Sequence, residues 1–167
     1  MNSMENDSVE VLQRVSMNDP AVGEIRTWPS EIRVDLGAIL LRIQMGLPVG
    51  LPDVNPMPTV SKNVSEIRLK DQSGLYRVCF RIKKRIGVIV FHAFKSKSKR
   101  ITRFHNEMGL KYLMMFLYGG TPQGKKRQMN HLDSINADEL ALTLNLNESD
   151  LAFMKAKVHL ALSASKA

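Results

Sequence analysis

The stretch Leu75-Tyr-Arg-Val-Cys-Phe-Arg-Ile-Lys-Lys-Arg-Ile-Gly-Val-Ile-Val-Phe-His-Ala-Phe-Lys-Ser-Lys97 decides the fold. Its first half alternates. Tyr76, Val78, Phe80 and Ile82 fall on one face of a strand, and Arg77, Cys79, Arg81 and Lys83 on the other. Its second half, Ile86 to Phe94, is almost continuously apolar, the pattern of a strand buried on both faces. Lys83-Lys-Arg85 is a polar break with Gly87 close behind, so the two halves predict a hairpin. The apolar run ends in His92, then Lys95, Lys97, Lys99 and Arg100. One face of the hairpin is thus a row of cations on a rigid sheet, able to hold a polyanion in a fixed place.

Working outward, Ser65 to Asp71 also alternates, with Ile67 and Leu69 inward and Arg68 and Lys70 outward. Asp71-Gln-Ser-Gly74 is a turn. Three consecutive strands make an antiparallel meander, and the right register puts Arg68, Lys70, Arg77 and Arg81 on one face. Upstream, Pro48, Pro52, Pro56 and Pro58 mark a connector with no regular structure. Before it, Ile32, Leu36, Ile39, Leu40 and Ile43 recur at helical spacing, behind a Pro29-Ser30 start and ahead of a Gly46 C-cap. Asp19-Pro20 opens a shorter helix through Arg26, and Val9 to Val15 reads as a first strand. The expected fold class is α+β: an N-terminal helical hairpin laid on a twisted antiparallel sheet, with a C-terminal helical extension.

Charge supports a polyanionic partner. The 167 residues carry a formal +8, and its distribution is uneven. Residues 1–60 hold four Lys/Arg against eight Asp/Glu, whereas residues 61–103 hold thirteen against two. The excess therefore sits on the expected sheet and its exit. A solvated basic face is the plain alternative, but here the charges interleave with a packed strand pattern. Cys79 is the only cysteine, which excludes an internal disulfide framework and suits a reducing cytoplasm. His92, His105, His131 and His159 are scattered, with no metal-ligand spacing, so no cofactor is expected. The acidic, polar N-terminus is no signal peptide. The run Leu110–Tyr118 is too short for a bilayer, which takes about 20 residues, so no membrane partner is expected and the location is read as cytoplasmic.

Trp28-Pro-Ser-Glu-Ile32, Leu41-Arg-Ile-Gln-Met-Gly46, Pro56-Met-Pro-Thr-Val60, Ser65-Glu-Ile-Arg68, Ser73-Gly-Leu-Tyr-Arg-Val78 and Val90-Phe-His-Ala-Phe-Lys-Ser-Lys97 come in a telling order. With that order and spacing, the chain resembles the RelE/HigB-like toxins of bacterial toxin–antitoxin modules, closest to their phage-derived subgroup. The resemblance covers Val11 to Lys99. It implies a toxin domain over residues 1–118 that enters the ribosomal A site and cleaves mRNA without a metal, by attack of the ribose 2′-OH on its own 3′ phosphate. Such chemistry needs a base near the hydroxyl, cations on the phosphate and an acid for the leaving oxygen.

Carried over residue by residue, the resemblance makes Arg77 the cation on the phosphorane. Lys95 and Lys97 match the lysines after His-Ala-Phe, either phosphate contacts or a proton donor. His92 matches the family histidine, catalytic in one reading and a hydrogen-bonded core residue in the other. Arg68 is either a phosphate contact or an ion-pair partner of Glu66 or Asp71. Lys70, Arg81, Lys83, Lys99 and Arg100 complete the RNA-binding set. The implied partners are ribosome, mRNA and a cognate helix-turn-helix antitoxin. A non-cleaving binder of gyrase, ribosome or RNA is the alternative, although gyrase-poisoning ParE-type relatives generally lack the cationic set.

The chain departs from that pattern after Lys97. The subgroup's Thr-Pro and basic closing helix give way to Lys95-Ser-Lys-Ser-Lys-Arg-Ile-Thr-Arg-Phe104 and an apolar run to Tyr118. Residues 119–135 read as a linker. Residues 136–167 read as a helical tail, with a short helix capped by Asn136 and a last helix from Asn147. Leu142–Leu162 weakly resembles the start of the antitoxins encoded beside such toxins. The tail is thus either an antitoxin-derived segment packed in cis or an ordinary amphipathic helix for core completion or a homodimer.

Overall fold

The computed structural model describes residues 12–50, 52–97, 102–119 and 130–165. Strand β1 (Val15–Asn18) leads into α1 (Asp19–Ile25) and α2 (Ser30–Gln44). Strands β2 (Val54–Pro56), β3 (Val64–Asp71), β4 (Gly74–Lys83) and β5 (Gly87–Ser96) follow, then α3 (Arg103–Tyr118), β6 (His131–Ser134), α4 (Ala137–Thr143) and α5 (Glu148–Ser165). The chain is a mixed α+β fold with a six-stranded sheet in the order β2-β3-β4-β5-β1-β6.

The meander β3-β4-β5 forms as the alternation predicts, with antiparallel pairing throughout. The helix starts are also local. Asn18 accepts a hydrogen bond from the Ala21 amide, one residue ahead of the expected Asp19 cap, and proline occupies the first turn. Gly46 takes φ +74° just past α2, the left-handed conformation that ends a helix.

Four expectations need correction. The sheet is mixed rather than antiparallel, because β1 runs parallel to β5 and antiparallel to β6. A first strand precedes both N-terminal helices as expected, but it is Val15–Asn18, with residues 12–14 outside it and 9–11 outside the described residues; α1 packs on β5 while α2 packs on β3, so the helices do not stand as a hairpin ahead of the sheet. The Pro-rich connector contains strand β2, whose Pro56 is tolerated at the sheet edge because no outer neighbour needs its missing N–H. Strand β6 lies inside the stretch read as linker; a four-residue strand with one buried side chain has no hydrophobic period to show it.

Both faces of the sheet are covered. On one, Tyr76, Val78, Phe80, Val88 and Val90 meet α1, α2, α4 and α5 in the main core. The tail belongs to that core: Leu140, Leu144, Met154 and Val158 are buried in it. Gly37 of α2 makes the close approach of α5 feasible, since a Cβ there would stand 2.3 Å from the Met154 sulfur. On the other face α3 covers a smaller cluster of Val64, Cys79, Ile89, Phe91, Phe94 and Leu113.

Candidate functional site

The face beneath α3 is the one that alternation marked as cationic. Register pairs Arg68 of β3 with Arg77 of β4, and Arg77 with Phe94 of β5. These three side chains thus form a row across three strands, spaced about 5 Å apart. Two arginines directly opposite would repel. Glu66 resolves this: its carboxylate accepts from Arg77 Nη1 at 2.9 and 3.0 Å and from Arg68 Nε. Glu66 and Arg77 are fully buried, whereas the Arg68 side chain keeps 42% of its exposure.

Arg77 therefore does not point into solvent, as its place on the cationic face suggested. The alternation is right, but the side chain is fully buried, and burial of a guanidinium demands a carboxylate partner. Cys79 shares this fate. It sits against the Met57 sulfur at 3.5 Å, and burial pushes its thiol pKa up, out of the reactive range.

The same row continues into α3. Phe94 stacks on the His105 ring at 3.7 Å and 7°. His105 Nδ1 lies 3.2 Å from His92 Nε2, so one ring donates to the other. Burial is the main cause that lowers the His92 pKa to about 4, with the neighbouring His105 adding to it. His105 is also lowered, chiefly by desolvation, with Glu24 opposing. Both rings are thus neutral at pH 7. His92 is buried, while His105 is only half-buried and accessible.

A bulge creates this placement. Pairing runs Phe80 with Val90 but Cys79 with His92, so Phe91 is the extra residue. Strict alternation would send His92 to the main core; the bulge turns it toward α3. Beyond the bulge, Lys95 pairs with Tyr76 and its ammonium lies 5.3 Å from the centre of that ring, on the opposite face from Arg77 and His92. Lys97 is exposed and rims a shallow depression at the β3–β4 turn with Lys70. The four residues read as catalytic are therefore split, Arg77 and His92 on the sheet face that α3 packs against, Lys95 and Lys97 on the other.

Of the RNA-binding set, Lys70 is exposed and Arg81 and Lys83 are half-buried, all on the Arg68 face by alternation. Lys99 and Arg100 lie outside the described residues. Among the described residues, no group of three His, Cys, Asp or Glu side chains is placed to hold a metal. No helix among them is long and apolar enough to cross a membrane. His105 is the site residue that the sequence did not reveal: it meets His92 thirteen residues away across a helix–strand contact, and no spacing pattern shows that.

Fold and site define a small basic α+β protein with a cation-bearing sheet face, closed at one end by a histidine pair. The family model described as phage-derived protein Gp49-like matches residues 23–111. The chain belongs to that family, which is RelE/toxin-like. The match takes in the row from Arg68 to His105 and stops within α3, ahead of β6, α4 and α5. No curated protein and no solved structure matches the chain.

Proposed function

We propose that this chain is the toxin of a toxin–antitoxin pair, and that it cleaves ribosome-bound mRNA by attack of a ribose 2′-OH on the adjacent phosphate. The observation that carries the reading is the row Arg68–Arg77–Phe94–His105, which sets an accessible cation and an accessible neutral histidine on one rigid face. Membership of a toxin-type family supports it. In this reading His105 takes the 2′-OH proton, with its basic form held by partial burial. His92 orients that ring through their shared hydrogen bond. Arg68, fixed by Glu66 at the other end of the row, holds a neighbouring phosphate of the same strand, and Lys70, Arg81 and Lys83 hold the flanking backbone. The proton taken by His105 returns to the departing 5′ oxygen, which leaves a cyclic phosphate and a 5′ hydroxyl. Arg77 acts as a positioning residue that holds Glu66, and so Arg68, in place.

A second reading, a family member that binds RNA, ribosome or gyrase without cleaving, is favoured by the complete burial of Arg77, the residue that the resemblance makes catalytic. Induction in a bacterial host with primer extension on one abundant mRNA separates the two. New cuts inside translated codons, lost in His105→Gln and Arg68→Ala, support the nuclease. Arrest without cuts supports the binder.

A further inference from the structure

At the end of the sheet remote from the β3–β4 turn lies a groove of about 790 Å³. Its walls are the β4–β5 turn, the segment leading into β1, and Ile135 beyond β6. Ile82, Ile86 and Ile135 line it with 49, 46 and 48% of their surface exposed. Ile86 lies on the turn, Ile82 next to the end of β4 and Ile135 just past β6, and none of the three belongs to either buried cluster. Around them stand Arg14, Lys83, Lys84 and Arg85. Among the described residues two carboxylates lie nearby, Asp133 at 3.4 Å from Arg14 and Glu139, which accepts from the Ile135 amide at 2.6 Å, against these four cations, so the rim keeps a net positive charge.

The groove is preformed. Gly87 takes φ +116°, and a Cβ there would stand 2.2 Å from the Arg14 carbonyl oxygen. The Val88 amide donates to that same oxygen at 2.7 Å. The turn is thus locked against the first strand, and a ligand would meet a fixed surface.

We propose that this groove binds an acidic peptide segment of a partner protein, through carboxylates on the rim and aliphatic side chains on the three isoleucines. Charge complementarity selects the acidic partner. The isoleucines discriminate further. Nucleic acid bases bind through aromatic stacking, and among the described residues no aromatic side chain lines the groove. A second copy related by a two-fold axis would bring this cationic rim against itself. A peptide with carboxylates and aliphatic groups satisfies both features.

The test is fluorescence anisotropy on the full chain with three labelled probes: a twelve-residue peptide of alternating Glu and Leu, a polyglutamate of the same length, and a single-stranded RNA of twelve nucleotides. The Glu/Leu peptide should bind about 10-fold more tightly than polyglutamate, as burial of a few aliphatic groups requires. An Ile82→Ser/Ile86→Ser variant should erase that difference, and Lys84→Glu should weaken both peptides by about 5-fold. Both variants change exposed side chains, and circular dichroism checks that they are folded. Equal binding of the two peptides would overturn the proposal. So would no peptide binding at about 1 mM, beyond the range of a specific site, or RNA affinity that falls with the isoleucines.

Discussion

The two faces of the central sheet are both buried, but they are buried differently. The face toward α1, α2, α4 and α5 is mainly apolar where it is buried, from Tyr76 and Val78 to Val88 and Val90, with the neutral Ser134–Thr143 pair satisfied internally and Lys95 exposed at its edge. The face toward α3 carries Glu66, Arg77 and His92 among its apolar residues, each buried. An apolar face needs only shape, whereas each buried polar group needs a partner. Glu66 with Arg77, and His92 with His105, are those partners. The difference teaches where the chemistry is: one face builds the fold, and the other spends part of its packing on holding charged and titratable groups in fixed positions.

The comparison breaks most visibly if Arg77 is not structural. Arg77→Ala leaves Glu66 buried without its main counter-charge and should cost about 3–5 kcal/mol, read from urea unfolding. A loss below about 1 kcal/mol would return Arg77 to the exposed role that alternation first suggested. On the apolar face, Met154→Ala removes the thioether packed over Gly37 and should cost about 2–4 kcal/mol, which also tests whether α5 completes the core. Retention of full stability would detach the tail from the fold.

The fold was legible where one signal dominates. Alternation in Leu75–Lys83, helical spacing in α2 and the Asn136 cap of α4 each determine local structure from a few neighbouring residues. The site was legible only in part. Arg68, Lys70, Arg77 and Arg81 do share a face, because alternation and register fix that much. What covers the face was not legible, since the apolar pattern of α3 states that it packs and not upon which side of the sheet. The bulge at Phe91 was also silent in the sequence, and it reverses the side on which Lys95 and Lys97 emerge. His105 was hidden for the same reason: a contact made by tertiary packing leaves no period.

A smaller effect is expected at the exposed end of the row. Arg68→Ala should change stability by less than about 1 kcal/mol, because its ion pair is partly solvated. Its RNA affinity should fall, with a shallower dependence on salt by about one counterion. A large loss of stability would show that Arg68 belongs to the buried pair.

The last effect is in pH. His92 has its folded pKa lowered to about 4 by burial, below the ordinary value of 6.5. Between these values the unfolded chain binds a proton that the folded chain refuses, so stability should fall as pH drops from 6.5 and level off near 4. In His92→Phe the decline over that window should be shallower, as seen in urea midpoints at pH 7 and pH 5. An unchanged slope would place the titrating group elsewhere.

The central claim is that the α3 face, and not the face carrying Lys95, meets the polyanion. Acetylation rates of individual lysines, measured by mass spectrometry with and without bound RNA, test it most directly. The account predicts that Lys70 and Lys83 are protected while Lys95 reacts at its free rate. Protection of Lys95 with Lys70 and Lys83 unchanged would contradict it.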